Sequence, residues 1–131
     1  MFNDYLRIPF LMLGRNRKGC DCWGLVSLIY REKLNIYLPD TNIEPGDYDG
    51  FKRESDNFAR LFERVFEPEL YDVILCYKSP SERVLNHVAL YTGNGKGIHA
   101  VKGQGVVIEK FINNPVYKNQ IEGFYRYVKN I

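Results

Sequence analysis

Gly19-Cys20-Asp21-Cys22-Trp23-Gly24-Leu25-Val26-Ser27-Leu28-Ile29-Tyr30 is the stretch on which the reading of the fold turns. Apolar residues at Leu25, Val26, Leu28 and Ile29, continued as far as Leu34, have the spacing of a largely buried helix, and Gly19 and Asp21 ahead of them mark its start. Asp21 is the natural N-cap. Cys22 then falls in the first turn, where unpaired backbone N–H groups and the positive end of the helix dipole favour thiolate over thiol. A cysteine so placed is a candidate nucleophile. Its base must come from His87 or His99, the two histidines of the chain. Both lie in strand-like segments far downstream, so only folding can join the three.

Outward from the helix, Tyr37-Leu38-Pro39-Asp40 ends the periodic pattern, and residues 42–50 form a loop rich in Asp, Pro and Gly. Apolar residues at Phe58, Leu61, Phe62, Val65 and Phe66 predict a second, amphipathic helix over residues 51–66, with Arg53, Glu54, Arg60, Glu63 and Arg64 as its solvated face. Residues 71–77 read as a buried strand with Cys76 as a core cysteine. Residues 85–92 and 97–101 predict a hairpin joined by Gly93-Asn94-Gly95-Lys96. Residues 105–111 give a third strand, and residues 121–128 a last one on the edge of the sheet.

Strand alternation places His87, Ala89 and Tyr91 on one face. A simple two-residue turn at Asn94-Gly95 puts Leu90 level with His99, and so the two histidines on opposite faces. A site using both therefore requires an odd-length connection or a glycine bulge, with His99 beside Tyr91 or Ala89.

With 131 residues the chain is expected to form a single domain over residues 1–131. A net charge of +2 with no concentrated basic run argues against a nucleic-acid partner. The apolar patch Ile8-Pro9-Phe10-Leu11-Met12-Leu13 is too short for a membrane span and lacks a signal-peptide cleavage site. The three cysteines are read as reduced. Cys20, Cys22, Cys76, His87 and His99 are suitable residue types for zinc, but two cysteines one residue apart do not have the usual ligand spacing. No metal or other cofactor is expected.

Three motifs, Gly19-x-Asp21-Cys22-Trp23-Gly24-Leu25-Val26, His87-Val88-Ala89-Leu90-Tyr91-Thr92-Gly93-Asn94-Gly95 and Ile98-His99-Ala100, occur in the order and with separations similar to those of the NlpC-type cysteine peptidases, which the chain resembles over residues 9–127. These are papain-like cell-wall hydrolases with a Cys-His-His site. Trp23, the short length and the closing Gly123-Phe124-Tyr125-Arg126 resemble the subgroup found in phage tail-assembly proteins. The resemblance implies an α+β, papain-like fold in which a helix carrying Cys22 packs on a small antiparallel sheet.

In that reading Cys22 is the nucleophile, His87 the general base and His99 the group that fixes the tautomer of His87. The oxyanion is met by the backbone N–H of Cys22 and a neighbour at the helix start. Asp21 supports the site as a cap, while Trp23 either lines the groove or fills the core. Phe10 stands where relatives carry a tyrosine facing substrate, so that hydroxyl is missing here. The implied substrate is a peptidoglycan stem peptide, cut at the amide between D-glutamate and the diamino acid. The implied setting is a phage tail, among other tail proteins, acting on the host cell wall. The competing expectation is a tail-tip or tail-assembly subunit that keeps the fold with little hydrolase activity.

Overall fold

The helix expected after Asp21 forms as α1, Cys22–Ile29, in a computed structural model that describes residues 1–40 and 57–128. Asp21, in extended backbone, accepts the N–H of Gly24 at 2.9 Å, which satisfies one of the donors that a helix start leaves open. Leu25, Val26, Leu28 and Ile29 are all buried. From Tyr30 to Leu34 the backbone widens into a π-helical turn, ended by Asn35 in the left-handed region (φ 55°) with its N–H bonded to the Tyr30 carbonyl. The periodic pattern thus does reach Leu34, but α-helical geometry stops at Ile29.

The short strands β1 (Arg15–Asn16) and β2 (Gly19–Cys20) pair just ahead of α1. Six further strands, β3 (Phe62–Val65), β4 (Val73–Tyr77), β5 (Leu85–Gly93), β6 (Lys96–Val101), β7 (Gly105–Lys110) and β8 (Ile121–Tyr127), form an antiparallel sheet in the order β3-β8-β4-β5-β6-β7. Two expectations are corrected here. Residues 62–65, expected at the end of an amphipathic helix, are a strand, while residues 51–56 of that proposed helix lie outside the described residues. Phe62 pairs with Tyr127 and Val65 with Phe124, and Phe62 stacks on Phe58 with ring centroids 4.1 Å apart. Aromatic cross-strand packing therefore overrides the helical spacing, and Phe66 is left in solvent. Because β3 takes the edge, β8 lies inside the sheet between β3 and β4 rather than on its margin.

The sheet is covered on both faces. Val73, Leu75, Val88, Leu90, Ile98, Ala100 and Val106 belong to the main core with the buried side of α1. Ile74, Cys76, Ala89 and Phe111 form a second cluster, flanked by Tyr91, Tyr117, Ile121 and Phe124. Cys76 is the core cysteine expected, and burial pushes its thiol up to about 12.

The β5–β6 connection decides which face each histidine takes. Asn94 (φ 55°) and Gly95 (φ 77°) make a tight two-residue turn closing the pair Gly93↔Lys96. By itself this turn would set the histidines on opposite faces. The register shifts between Tyr91 and Gly93, however, so that Thr92 is an extra residue, and the ladder resumes with Tyr91↔Gly97 and Leu90↔Ile98. One further step places His99 level with Ala89, on the face of His87. Among the described residues, no helix is long and apolar enough to cross a membrane.

Candidate active site

The start of α1 is locked by the carboxylate of Asp21. Its Oδ1 accepts from Gly24 N–H and, at 2.7 Å, from Nη1 of Arg15, while Oδ2 accepts from Leu13 N–H at 2.9 Å. The loop that carries Leu13 and Arg15 is thereby tied to the first helical turn. Gly24 is required at this contact, because a Cβ there would lie 2.0 Å from the Gly14 carbonyl oxygen. Phe10 bridges to Cys20 and is partly buried against the core, two residues from Cys22. Trp23 sits at the core margin, edge-on to Phe58 at 6.1 Å, with its indole N–H donating to the Pro39 carbonyl at 3.1 Å.

Cys22 meets the sheet at β5, through a backbone group that pairing leaves free. Tyr91 N–H is bonded to Asp72 on the β4 side, so by alternation the N–H groups of Leu90 and Val88 point towards β6. Pairing with β6 ends at Leu90↔Ile98. The N–H of Val88 lies close enough to the Cys22 thiol to favour its ionised form. The helix start thus lies against the strand one residue from His87.

His87 Nε2 lies 2.8 Å from His99 Nδ1, with the rings inclined at 69°. His99 is buried (2% exposed), and its Nε2 lies 2.5 Å from Oε2 of Glu109 on β7. The Tyr117 hydroxyl donates to that same oxygen at 2.8 Å. Phe111 stacks on Tyr117 and meets the His99 ring edge-on, with centroids 4.9 Å apart, which fixes the plane of the imidazole.

The electrostatics differ from what the helix start alone suggests. Burial pushes the Cys22 thiol up to about 11, against the opposing pull of the Val88 and Trp23 N–H groups. Burial, assisted by the neighbouring His99, pulls His87 down to about 3. His99 is also lowered by burial, which outweighs Glu109. At rest the thiol and both imidazoles are therefore neutral, and the expectation of a thiolate at the helix start is corrected: desolvation outweighs the N–H groups that favour it.

Sequence reading missed Glu109 and Tyr117. A signal for Glu109 exists, since alternation along β7 sets it on the side of Val107 and Phe111, and the register puts Val107 across from His99. A carboxylate on a buried strand face calls for a partner. Tyr117 lies outside the strands, and nothing in its sequence neighbourhood marks it.

A cysteine at a helix start, set against the strand that carries the first of two hydrogen-bonded histidines, defines a papain-like arrangement. The chain belongs to the NlpC/P60 family, whose model matches residues 7–126. It is 27% identical over 119 residues to the murein DD-endopeptidase MepS/murein LD-carboxypeptidase of Escherichia coli, covering 91% of this chain and 55% of that protein. It is 26% identical over 126 residues to a gamma-D-glutamyl-L-lysine dipeptidyl-peptidase of Bacillus cereus, covering 95% of this chain and 34% of that one. Among solved structures, an NlpC/P60 family protein from Bacillus cereus superposes with a TM-score of 0.72 at 24% identity, over 97% of this chain and 38% of the other. The chain spans about half, or less, of the length of these curated relatives.

Proposed function

We propose that this chain is a cysteine peptidase that hydrolyses peptidoglycan stem peptides. The observation that carries the reading is the hydrogen bond from His87 to His99, one residue from Val88, whose N–H acts on the Cys22 thiol. In the proposed reaction His87 takes the Cys22 proton as the sulfur attacks the amide carbonyl, and returns it to the leaving amine. The backbone N–H of Cys22 and a neighbour at the helix start stabilise the oxyanion. Water, deprotonated by His87, then releases the thioester. His99 holds His87 in position throughout.

The substrate we favour is the amide between D-glutamate and the diamino acid. Support comes from family membership and from a relative named as a gamma-D-glutamyl-L-lysine dipeptidyl-peptidase. We further favour carriage on a phage tail and action on the host wall. That rests on the resemblance of Trp23 and of Gly123-Phe124-Tyr125-Arg126 to the tail-associated subgroup. A structural tail subunit is the competing reading, supported by Phe10 in place of a tyrosine.

Mass spectrometry of purified peptidoglycan incubated with the wild type and with Cys22→Ala separates these readings. New fragments split between D-glutamate and the diamino acid are expected from the wild type only, with a loss of about 10⁴-fold or more in the variant. An intact wall after wild-type treatment removes the hydrolase reading. Detection of the chain in purified virions tests the tail assignment.

A further inference from the structure

The hydrogen bonds that run beyond the two histidines determine where each imidazole carries its proton. Oε2 of Glu109 receives both the Tyr117 hydroxyl and His99 Nε2. An ionised carboxylate can only accept, so His99 Nε2 must bear hydrogen. A neutral imidazole has a single N–H, which leaves His99 Nδ1 as a lone pair facing His87 Nε2 at 2.8 Å. That nitrogen of His87 must then be the donor. Nδ1 of His87 is left as the unprotonated ring nitrogen that accepts no hydrogen bond within this chain of bonds, ready to take up a proton.

We propose that Glu109, held by Tyr117, is a positioning residue that sets the tautomers of both histidines and so makes His87 Nδ1 the base. The kinetic part of this inference rests on the peptidase reading above; the tautomer part does not. The carboxylate also faces the charge that appears when His87 takes up the thiol proton, because the positive charge can spread through His99 towards Glu109. A hydroxyl or amide at position 109 could not combine both effects. Glutamine offers His99 either an N–H or a C=O, and the inverted chain it permits puts hydrogen on His87 Nδ1, where it blocks proton uptake.

Two-bond ¹⁵N–¹H spectra of the resting protein test this without substrate. In the wild type both histidines are expected to be protonated at Nε2 and bare at Nδ1. Glu109→Gln is expected to give a mixture of tautomers with the melting temperature little changed, since the Glu109 side chain is 41% exposed. On peptidoglycan the same variant should lose roughly 10- to 100-fold in kcat with KM unchanged. That is less than the loss of about 10⁴ when the acid orienting the histidine of a serine-protease triad is neutralised, because Glu109 acts through one more ring. Tyr117→Phe, which leaves the carboxylate in place, should retain the wild-type tautomers.

Hydrogen on Nδ1 of either wild-type histidine, or unchanged tautomers in Glu109→Gln, overturns the proposal even if the wild type cleaves peptidoglycan. The expected spectra from a protein that cleaves nothing overturn the peptidase reading and leave the tautomer assignment standing. Should Glu109→Gln fail to fold, the wild-type spectrum still decides the assignment.

Discussion

The two buried faces of the sheet are built for different ends. The face against α1 is apolar throughout, with Leu75, Val88, Leu90, Ile98 and Ala100 meeting Leu25, Val26 and Ile29. The opposite cluster has Cys76, Ala89 and Phe111 at its centre, and His87, His99 and Tyr117 are set among aromatic rings beside it. Hydrophobic burial on the first face holds the helix in place. On the second face position depends on hydrogen bonds, running from His87 through His99 and Glu109 to Tyr117. Val88 stands next to His87 on β5: its side chain lies in the first core, where Cys22 also packs, and its N–H acts on the thiol. The separation allows the fold to be stable while the imidazoles remain poorly solvated and uncharged.

Removing Ile98 is the most severe way to break this division. With the Thr92 bulge and the pair Tyr91↔Gly97 in place, loss of one residue from β6 brings His99 level with Leu90, and the one-step slip sends it to the helix side. β5 is anchored to β4 from Val73↔Leu90 to Cys76↔His87, so β6 has to yield. A loss of about 10³-fold or more in stem-peptide hydrolysis is expected, comparable to losing the orienting member of a triad, together with disappearance of the His87–His99 hydrogen bond from NMR spectra. A variant lacking Ile98 that keeps full activity refutes the role given to the β5–β6 register.

What the sequence disclosed follows the same division. The α1 stripe, the hairpin strands and the need for a register shift were all legible, because helical and strand periodicities and the demand for two histidines on one face are local arguments. The location of the shift at Thr92 was not, since the glycines at 93, 95 and 97 each permit one. Phe62 and Val65 were misread because their spacing fits a helix as well as a strand, and only pairing with Phe124 and Tyr127, about sixty residues away, decides between them. Cys22 and the two histidines were legible as candidates. Glu109 was not picked out because its place beside His99 follows from the β6–β7 register, and the protonation state of Cys22 because it depends on desolvation in the assembled core.

Paired substitutions sharpen the contrast at a lower level of effect. Leu25→Ala, at a fully buried position on the helix side, should cost about 2–5 kcal/mol in unfolding free energy. Activity per folded molecule should stay near the wild-type level. Phe111→Leu, on the opposite face, should lower kcat by roughly tenfold through a less firmly held His99 ring, out of proportion to its effect on stability. Urea titration alongside single-turnover kinetics measures both quantities. Equal loss of activity from the two variants would mean that the faces are not functionally distinct.

Acidification provides the gentlest perturbation, and its sign follows from the imidazoles. Both histidines are neutral in the folded chain, with His87 lowered to about 3 by burial and by its neighbour, and His99 lowered by burial. In the unfolded chain each takes up a proton near the ordinary value of about 6.5. Between these values the unfolded state binds more protons, so stability is complete above about pH 6.5 and falls as the pH drops towards the folded values, by at most about 1.4 kcal/mol per pH unit for each imidazole. Glu32, lowered chiefly by its hydrogen bond from Arg17, contributes its own loss only nearer the carboxylate range. Unfolding free energies measured between pH 7 and pH 5 therefore isolate the histidine face. His99→Asn should flatten the slope in that window, whereas Leu25→Ala should lower the whole curve without changing its slope. If the slope survives the loss of His99 in full, the imidazole pair is not kept neutral by burial in the second face, and the neutral resting state of the site loses its physical basis.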